Sequence, residues 1–248
     1  MKKFRFTGLL LGVALVIFLT SCGGNGSGEK ASKDSTAADT TTKTTATEPA
    51  KSTIVTTPLN MVIATHKVAN YAKWKMAYDG HDSARLANGI HSYVIGRGLM
   101  DSNMVLVAMK IDDTAKAKAF VKNPDLKKAM QKGGVVGAPT ITFYTATWQD
   151  TATIDTKLRS QTTFGIKDWD AWVKGFEEGK QERMDNGITD RVYGHEINDN
   201  KKVTLVTAVM DTAKAFAYYK SDALKKRREA SGVIGEPKRF LFKIVARY

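Results

Sequence analysis

His66-Lys67-Val68-Ala69-Asn70-Tyr71-Ala72-Lys73-Trp74, running on to Arg85 and Asn88-Gly89-Ile90, decides the fold because the chain contains it twice. Trp74 returns as Trp172, Arg85 as Arg183, and Asn88-Gly89-Ile90 as Asn186-Gly187-Ile188, at a constant offset of 98 residues. Two copies of one unit therefore share a chain of 248 residues, a length that accommodates two domains.

Within the first copy, Met61 to Val68 is rich in β-branched and apolar residues and reads as a strand. Asn70 is placed to cap a helix. Tyr71, Trp74, Tyr78, His81 and Arg85 then recur at spacings of three and four, one face of a helix. Gly89 suits the left-handed residue that ends it. Ser92 to Leu99 and Met104 to Ile111 form a hairpin about the turn Asp101-Ser102-Asn103. Thr114 to Val121 begins a second helix. Asn123-Pro124-Asp125 interrupts and restarts it, with Asn capping and Pro in the first turn. Gly133-Gly134 closes it, and Thr140 to Thr145 is the last strand.

The second copy repeats the order: a strand at Gln161 to Ile166, a helix from Trp169 to Asn186, a hairpin of Arg191 to Ile197 and Val203 to Met210, a broken helix from Thr212 to Ser231, and a strand at Lys238 to Val245. Aligning Asp112 with Asp211 introduces a one-residue slip. The order βαββαβ is the ferredoxin-like split βαβ, so the fold class is α+β with two such repeats. Each repeat covers one face of its sheet with helices and leaves the other bare. Two bare faces in one chain can bury each other, and the expected result is an intrachain α/β barrel that requires no obligate homodimer. The domain limits are 59–148 and 159–248, with 149–158 as connector.

Val68 to Trp74, Arg85 with Gly89-Ile90, Ala117-Lys118-Ala119-Phe120 and Pro124-Asp125-Leu126-Lys127-Lys128-Ala129-Met130 resemble the dimeric α/β-barrel superfamily. Antibiotic-biosynthesis-monooxygenase-like and polyketide-cyclase-like proteins are among its members. The resemblance spans 59–248 and implies the barrel, which most members build from two chains. It implies no catalytic set, because members differ widely in activity. The Asn, Trp and His arrangement of the haem-degrading branch has no counterpart here.

Residues 1–21 read as a secretory signal. Lys2, Lys3 and Arg5 precede the apolar run Gly8 to Leu19, which is too short to span a bilayer. Leu19-Thr20-Ser21-Cys22 resembles the bacterial lipobox, whose cysteine is acylated. Cys22 is the single cysteine of the chain, so no intrachain disulfide is expected. Residues 22–58 are Gly, Ser, Thr, Ala and Lys with hardly a large apolar residue, the composition of a disordered tether. Fully extended it reaches on the order of 120 Å. The expected partner is a lipid bilayer through Cys22, at the cell envelope. The absence of Asp at position 23 favours an outer over an inner membrane. The net charge of +13 invites a nucleic-acid reading, but the export signal and the lack of any such motif exclude it.

Chemistry is sought where the copies differ. In the second strand Val94 and Gly96 match Val192 and Gly194, while Tyr93, Ile95 and Arg97 stand against Arg191, Tyr193 and His195. Strict alternation sends this second set to the barrel interior. Ala64 and His66 stand against Thr162 and Phe164 in the first strands, where apolar residues in both sets leave the facing open. His66 or His195 is a candidate general base, with Arg97 to hold an enolate or carboxylate. Tyr93, Arg191 and Tyr193 are candidate ligand contacts, and the expected ligand is a small, partly apolar molecule. A cofactor-independent monooxygenase, cyclase or isomerase is the alternative, and a module with no internal ligand a third reading. Trp74, Tyr78, Trp172 and Phe176 read as core, Arg85 and Arg183 as structural, and Lys225 to Arg228 as an exposed helix face. No H-x-x-x-H spacing, G-x-S-x-G elbow or phosphate loop occurs, so neither metal nor cofactor is expected.

Overall fold

The computed structural model describes residues 52–248; the signal-like segment, Cys22 and the tether up to Lys51 lie outside the described residues. The first copy runs β2 (Leu59–Val68), α1 (Tyr71–Gly80), α2 (Asp82–Leu86), β3 (Ile90–Gly98), β4 (Met104–Ile111), α3 (Thr114–Lys122), α4 (Pro124–Lys132) and β5 (Val135–Asp150), preceded by the short β1 (Ile54–Val55). The second runs β6 (Leu158–Ile166), α5 (Trp169–Glu178), α6 (Lys180–Asp185), β7 (Ile188–Glu196), β8 (Asp199–Val209), α7 (Thr212–Tyr219), α8 (Asp222–Ala230) and β9 (Val233–Arg247). This is α+β, two βαββαβ repeats.

The local signals act as their chemistry dictates. Asn70 accepts from the Lys73 amide at 2.9 Å and starts α1. Asn123 accepts from the Asp125 amide at 2.8 Å, with Pro124 opening α4. Each long helix of the sequence reading is broken, α1 from α2 at His81 and α5 from α6 at Gly179. Asp113, and not Asp112, caps α3, as Asp211 caps α7. The offset of 98 therefore holds through the cap and the one-residue slip disappears. Asp112 instead bonds His91 at 2.7 Å.

The strands close on themselves. Their order is β5-β2-β4-β3-β9-β6-β8-β7, and β7 pairs back onto β5. All pairings are antiparallel. The joins between copies are made by the two last strands, which are far longer than Thr140–Thr145 and Lys238–Val245: 16 residues in β5 and 15 in β9. Gly137-Ala138-Pro139 and Gly235-Glu236-Pro237 look like loop punctuation, but the strands pass through them with a bulge, a use of glycine that edge irregularities allow. The first part of β5 pairs with β2 and its end with β7; β9 likewise serves β6 and then β3. Among the described residues the barrel is completed within one chain, and the one strand with an unpaired side is the two-residue β1, too short an edge to invite further pairing.

The folded part begins before Leu59. Ile54 and Val55 pair with Asp150 and Gln149, and Thr53 bonds Asp150 and Thr151, so Thr53 to Val55 lie against the end of β5 instead of extending the tether. The connector is also shorter than 149–158, because Gln149 and Asp150 belong to β5 and Leu158 to β6.

One backbone feature decides which side chains enter the barrel. In β3, Ser92 pairs with Met109 and Val94 with Ala108, leaving Tyr93 unpaired. In β7, Asp190 pairs with Thr207 and Val192 with Val206, leaving Arg191 unpaired. These are equivalent bulges, and each resets the alternation. Tyr93 and Val94 both face inward, and so do Arg191 and Val192. Beyond the bulge Ile95 and Tyr193 join the helix-side cores. Gly96 and Gly194 face inward, so close that a Cβ on Gly96 would meet the Phe242 ring. The expected facing of Ile95, Arg97, Tyr193 and His195 is thus reversed, while that of Tyr93 and Arg191 holds.

Candidate functional site

Of the sequence candidates, His66 sits on the helix side of repeat 1, not in the barrel. In β2 the inward residues are Met61 and Ile63, and Val62, Ala64 and His66 face α1. A cavity of about 100 Å³ lies there between sheet and helices. Its walls are almost wholly apolar, with Trp74, Met109, Phe120 and Ile141 among them, and exposed His81 stands at its mouth.

His66 is 6% exposed, and neither ring nitrogen has a hydrogen-bond partner. Burial without a partner disfavours the charged ring and pushes its pKa down to about 4, so the imidazole is neutral at pH 7. Leaving such a group unpaired costs roughly 1–3 kcal/mol. The Trp74 ring lies 5.5 Å from it, Tyr78 stacks on Trp74 at 5.2 Å, and the Arg85 guanidinium caps Tyr78 at 3.7 Å. Arg85 donates to Tyr78 O at 2.6 Å and to Asp82 at 2.9 Å, but its Nε is also unpaired and buried. An apolar pocket therefore carries two buried polar groups with unused hydrogen-bonding capacity.

Repeat 2 lacks this arrangement. Phe164 occupies the position of His66 and packs on Trp172, which stacks on Phe176. His66 differs between the copies, and the open question of which way it faces is answered by its place on the helix side of the sheet.

The other candidates are dispersed. Arg97 lies opposite Val105 across the sheet, as His66 does, on the same helix-facing side two strands away. Its guanidinium rests on Tyr71 at 4.2 Å and donates to Ser102 O at 2.7 Å, outside the pocket. His195 belongs to repeat 2, where its Nδ1 donates to Glu196 O at 2.9 Å and its ring meets Trp169. Tyr193 stacks on Trp148 and donates to Glu177 at 3.2 Å; burial and the carboxylate both raise its pKa. His66, His195 and Arg97 do not form one constellation. Tyr93 and Arg191 do meet, in a second cavity of about 360 Å³ inside the barrel. Sequence reasoning missed Arg159, Gln149 and Gln161, which line it as well.

Two residues given structural roles have them. Arg183 is buried and paired with Asp190, and Arg85 is held by Asp82 and Tyr78 O. The basic run on α8 is only half exposed: Lys225 and Lys226 face solvent, but Arg227 pairs with Glu182 at 2.6 Å.

No family model matches the chain, and no curated protein matches it. Solved structures do. An anthrone oxidase-like protein superposes with a TM-score of 0.54 at 12% identity, over 78% of this chain and 94% of that one. A proposed monooxygenase of Fusobacterium nucleatum gives 0.50 at 12%, over 76% and 93%. The chain has their α/β-barrel fold. That fold is the dimeric α+β barrel, here with both halves in one polypeptide.

Proposed function

We propose that the chain binds and transforms a small, mainly apolar molecule bearing a hydroxyl group, whose hydroxyl-bearing edge enters the helix-side pocket of repeat 1 while the rest lies across the pocket's open mouth beside His81. The observation that carries this reading is His66, a neutral imidazole with two bare nitrogens in an apolar cavity. A phenolic or enolic hydroxyl donating to the imidazole lone pair would relieve that unmet bond. If the hydroxyl proton passes to the ring, the resulting imidazolium is stabilised by the anion beside it, so its low pKa in the empty pocket does not prevent transfer. One structural neighbour is anthrone oxidase-like and another a proposed monooxygenase; in keeping with them, the reaction proposed for this chain is a cofactor-independent oxidation of an enolisable ring.

The test compares wild type with His66→Phe, which copies the residue of repeat 2. Quenching of tryptophan fluorescence by 2-naphthol measures binding. Oxygen uptake with anthrone measures turnover, one O₂ consumed per anthrone to give anthraquinone and water. Loss of both in the variant, with the fold intact, supports the reading. Turnover that survives His66→Phe removes His66 from the reaction.

The address is part of the same proposal. Export by residues 1–21 and acylation of Cys22 would place the barrel at the envelope on a tether, as a monomer bound to a bilayer through several acyl chains. If Cys22→Ser leaves the protein on membranes after a salt wash, Cys22 is not the anchor.

A further inference from the structure

The two repeats treat the barrel interior differently. At equivalent positions β2 contributes Met61 and Ile63, and β6 contributes Arg159 and Gln161. Met61 fills its share, with the Tyr144 hydroxyl donating to its sulfur at 3.1 Å. Arg159 does not fill its share. It is 3% exposed, and its Nη1 donates to two main-chain oxygens, Thr156 at 2.7 Å and Leu158 at 3.0 Å. No carboxylate pairs with it among the described residues. The charged groups that act on it are two more arginines, Arg191 and Arg247, and burial together with their repulsion lowers its pKa to about 10.

A buried charge without a counter-charge is strongly unfavourable, and a barrel filled only by side chains would have no use for one. Among the described residues, Asp150 is the only acid on the cavity wall. It is taken by Arg191, 3.3 Å away, whose other amino group donates to Ala152 O and fixes the connector as part of the wall. Arg247 stands at the exposed rim. One positive charge inside the cavity, that of Arg159, is left unbalanced. The rest of the lining combines neutral polar side chains, Gln149, Gln161 and Thr151 among them, with an apolar part formed by Leu106, Val192, Val206, Phe242 and Ile244. The volume of about 360 Å³ is that of a small-molecule site.

We propose that the barrel interior binds an organic monoanion, a carboxylate carried on an apolar body. Arg159 holds the carboxylate through its free guanidinium edge, Arg191 and Gln161 flank it, and the body lies against Phe242 and Ile244. This site is separate from the pocket of His66 and does not depend on that pocket's function. A planar guanidinium matches a carboxylate with two parallel bonds, and the single unbalanced charge selects a monoanion.

Calorimetric titration of the full chain with 2-naphthoate and octanoate tests this, with 2-naphthalenemethanol as the neutral counterpart. A carboxylate should bind at least tenfold more tightly than the alcohol. Arg159→Met should weaken it at least tenfold. The ligand-free variant should melt no lower than wild type, because a repelled, desolvated charge has been removed; that result also rules out misfolding as the cause. Ala108→Phe, which fills the cavity without touching a charge, should block binding. His66→Phe should leave it unchanged. The proposal is overturned if neither carboxylate saturates the protein at millimolar concentration, if the alcohol binds as well, if Arg159→Met binds as wild type does, or if His66→Phe abolishes binding.

Discussion

Arg183 grips Asp190 through two parallel hydrogen bonds, Nε to Oδ1 at 2.8 Å and Nη2 to Oδ2 at 2.6 Å, both residues being buried. Repeat 1 keeps the arginine, as Arg85, but places Ser92 where repeat 2 has Asp190. The space is taken by Tyr78, whose hydroxyl meets Ser92 Oγ at 2.7 Å. Phe176, its counterpart, has no hydroxyl. Tyr78 with Ser92 and Phe176 with Asp190 are therefore two solutions to one site, and the first leaves Arg85 Nε unpaired next to the candidate pocket.

Removing one partner of the buried pair strands the other. Asp190→Ala should cost about 3–5 kcal/mol. In repeat 1, Ser92→Asp alone should destabilise, because the carboxylate competes with the Tyr78 hydroxyl for space. Tyr78→Phe together with Ser92→Asp should recover that loss, with a coupling of roughly 1–3 kcal/mol in a double-mutant cycle. Additive effects in urea denaturation would show that the two solutions are not alternatives.

His66 makes stability depend on pH in a definite direction. Its folded pKa, about 4, lies below the unfolded value near 6.5. The unfolded chain therefore takes up this proton first as pH falls. The full contribution is present above pH 6.5 and is lost between there and about pH 4, by up to about 3 kcal/mol. His66→Phe should erase this term, so the gap between variant and wild type should widen from pH 7.5 to pH 5. Denaturant midpoints at three pH values check it, since the other titrating groups cancel in the comparison.

The repeat, the βαββαβ order and the caps at Asn70 and Asn123 were legible because each depends on local spacing or on a side chain bonding its neighbours. The barrel followed from the bare sheet faces. What could not be read was set by contacts distant in sequence. Strict alternation places Tyr193 and His195 in the barrel, but the bulge at Arg191 turns them out, as the one at Tyr93 turns out Ile95 and Arg97, and no residue in either strand signals a bulge. Gly137 and Pro139 looked like the end of a loop because what carries β5 past them is its pairing with Lys67 and Val68 of β2, distant in sequence; β7, in the other copy, holds only the far end of the strand. Arg159 escaped notice because its significance is a missing carboxylate, which only the folded arrangement defines.

The fold should need residues that the tether reading assigns to disorder. Thr53 donates its hydroxyl to Asp150 at 2.8 Å, and its carbonyl accepts from the Thr151 amide at 2.8 Å. Ile54 and Val55 complete the ladder on β5. A chain that starts at Leu59 should be less stable than one that starts at Ser52 by about 1–2 kcal/mol, the worth of a few partly exposed hydrogen bonds. Equal thermal unfolding of the two would return 52–58 to the tether. The loss should also loosen Asp150, and with it the ion pair to Arg191 at 3.3 Å.

Two glycines of the long-strand system should respond to substitution for different reasons. A Cβ on Gly194 would lie 1.9 Å from Thr145 O and 2.8 Å from Ala146 Cα, backbone atoms of the strand that closes the barrel. Neither can move without opening the β5–β7 ladder. Gly194→Ala should therefore cost roughly 3 kcal/mol or more, toward the upper end for overpacking, and no side chain should rescue it. Gly137 has nothing within 4 Å of its Cβ position, but its φ is +75°. Gly137→Ala should cost only the left-handed backbone penalty, roughly 1–2 kcal/mol, and Gly137→Asn should recover part of it because Asn tolerates that region. Hydrogen exchange separates the two effects. Gly194→Ala should expose amides of both β5 and β7, whereas Gly137→Ala should change protection only around its own bulge against β2. Should Gly194→Ala leave the exchange of β7 amides unchanged, the close approach of the two strands is not what holds the barrel shut.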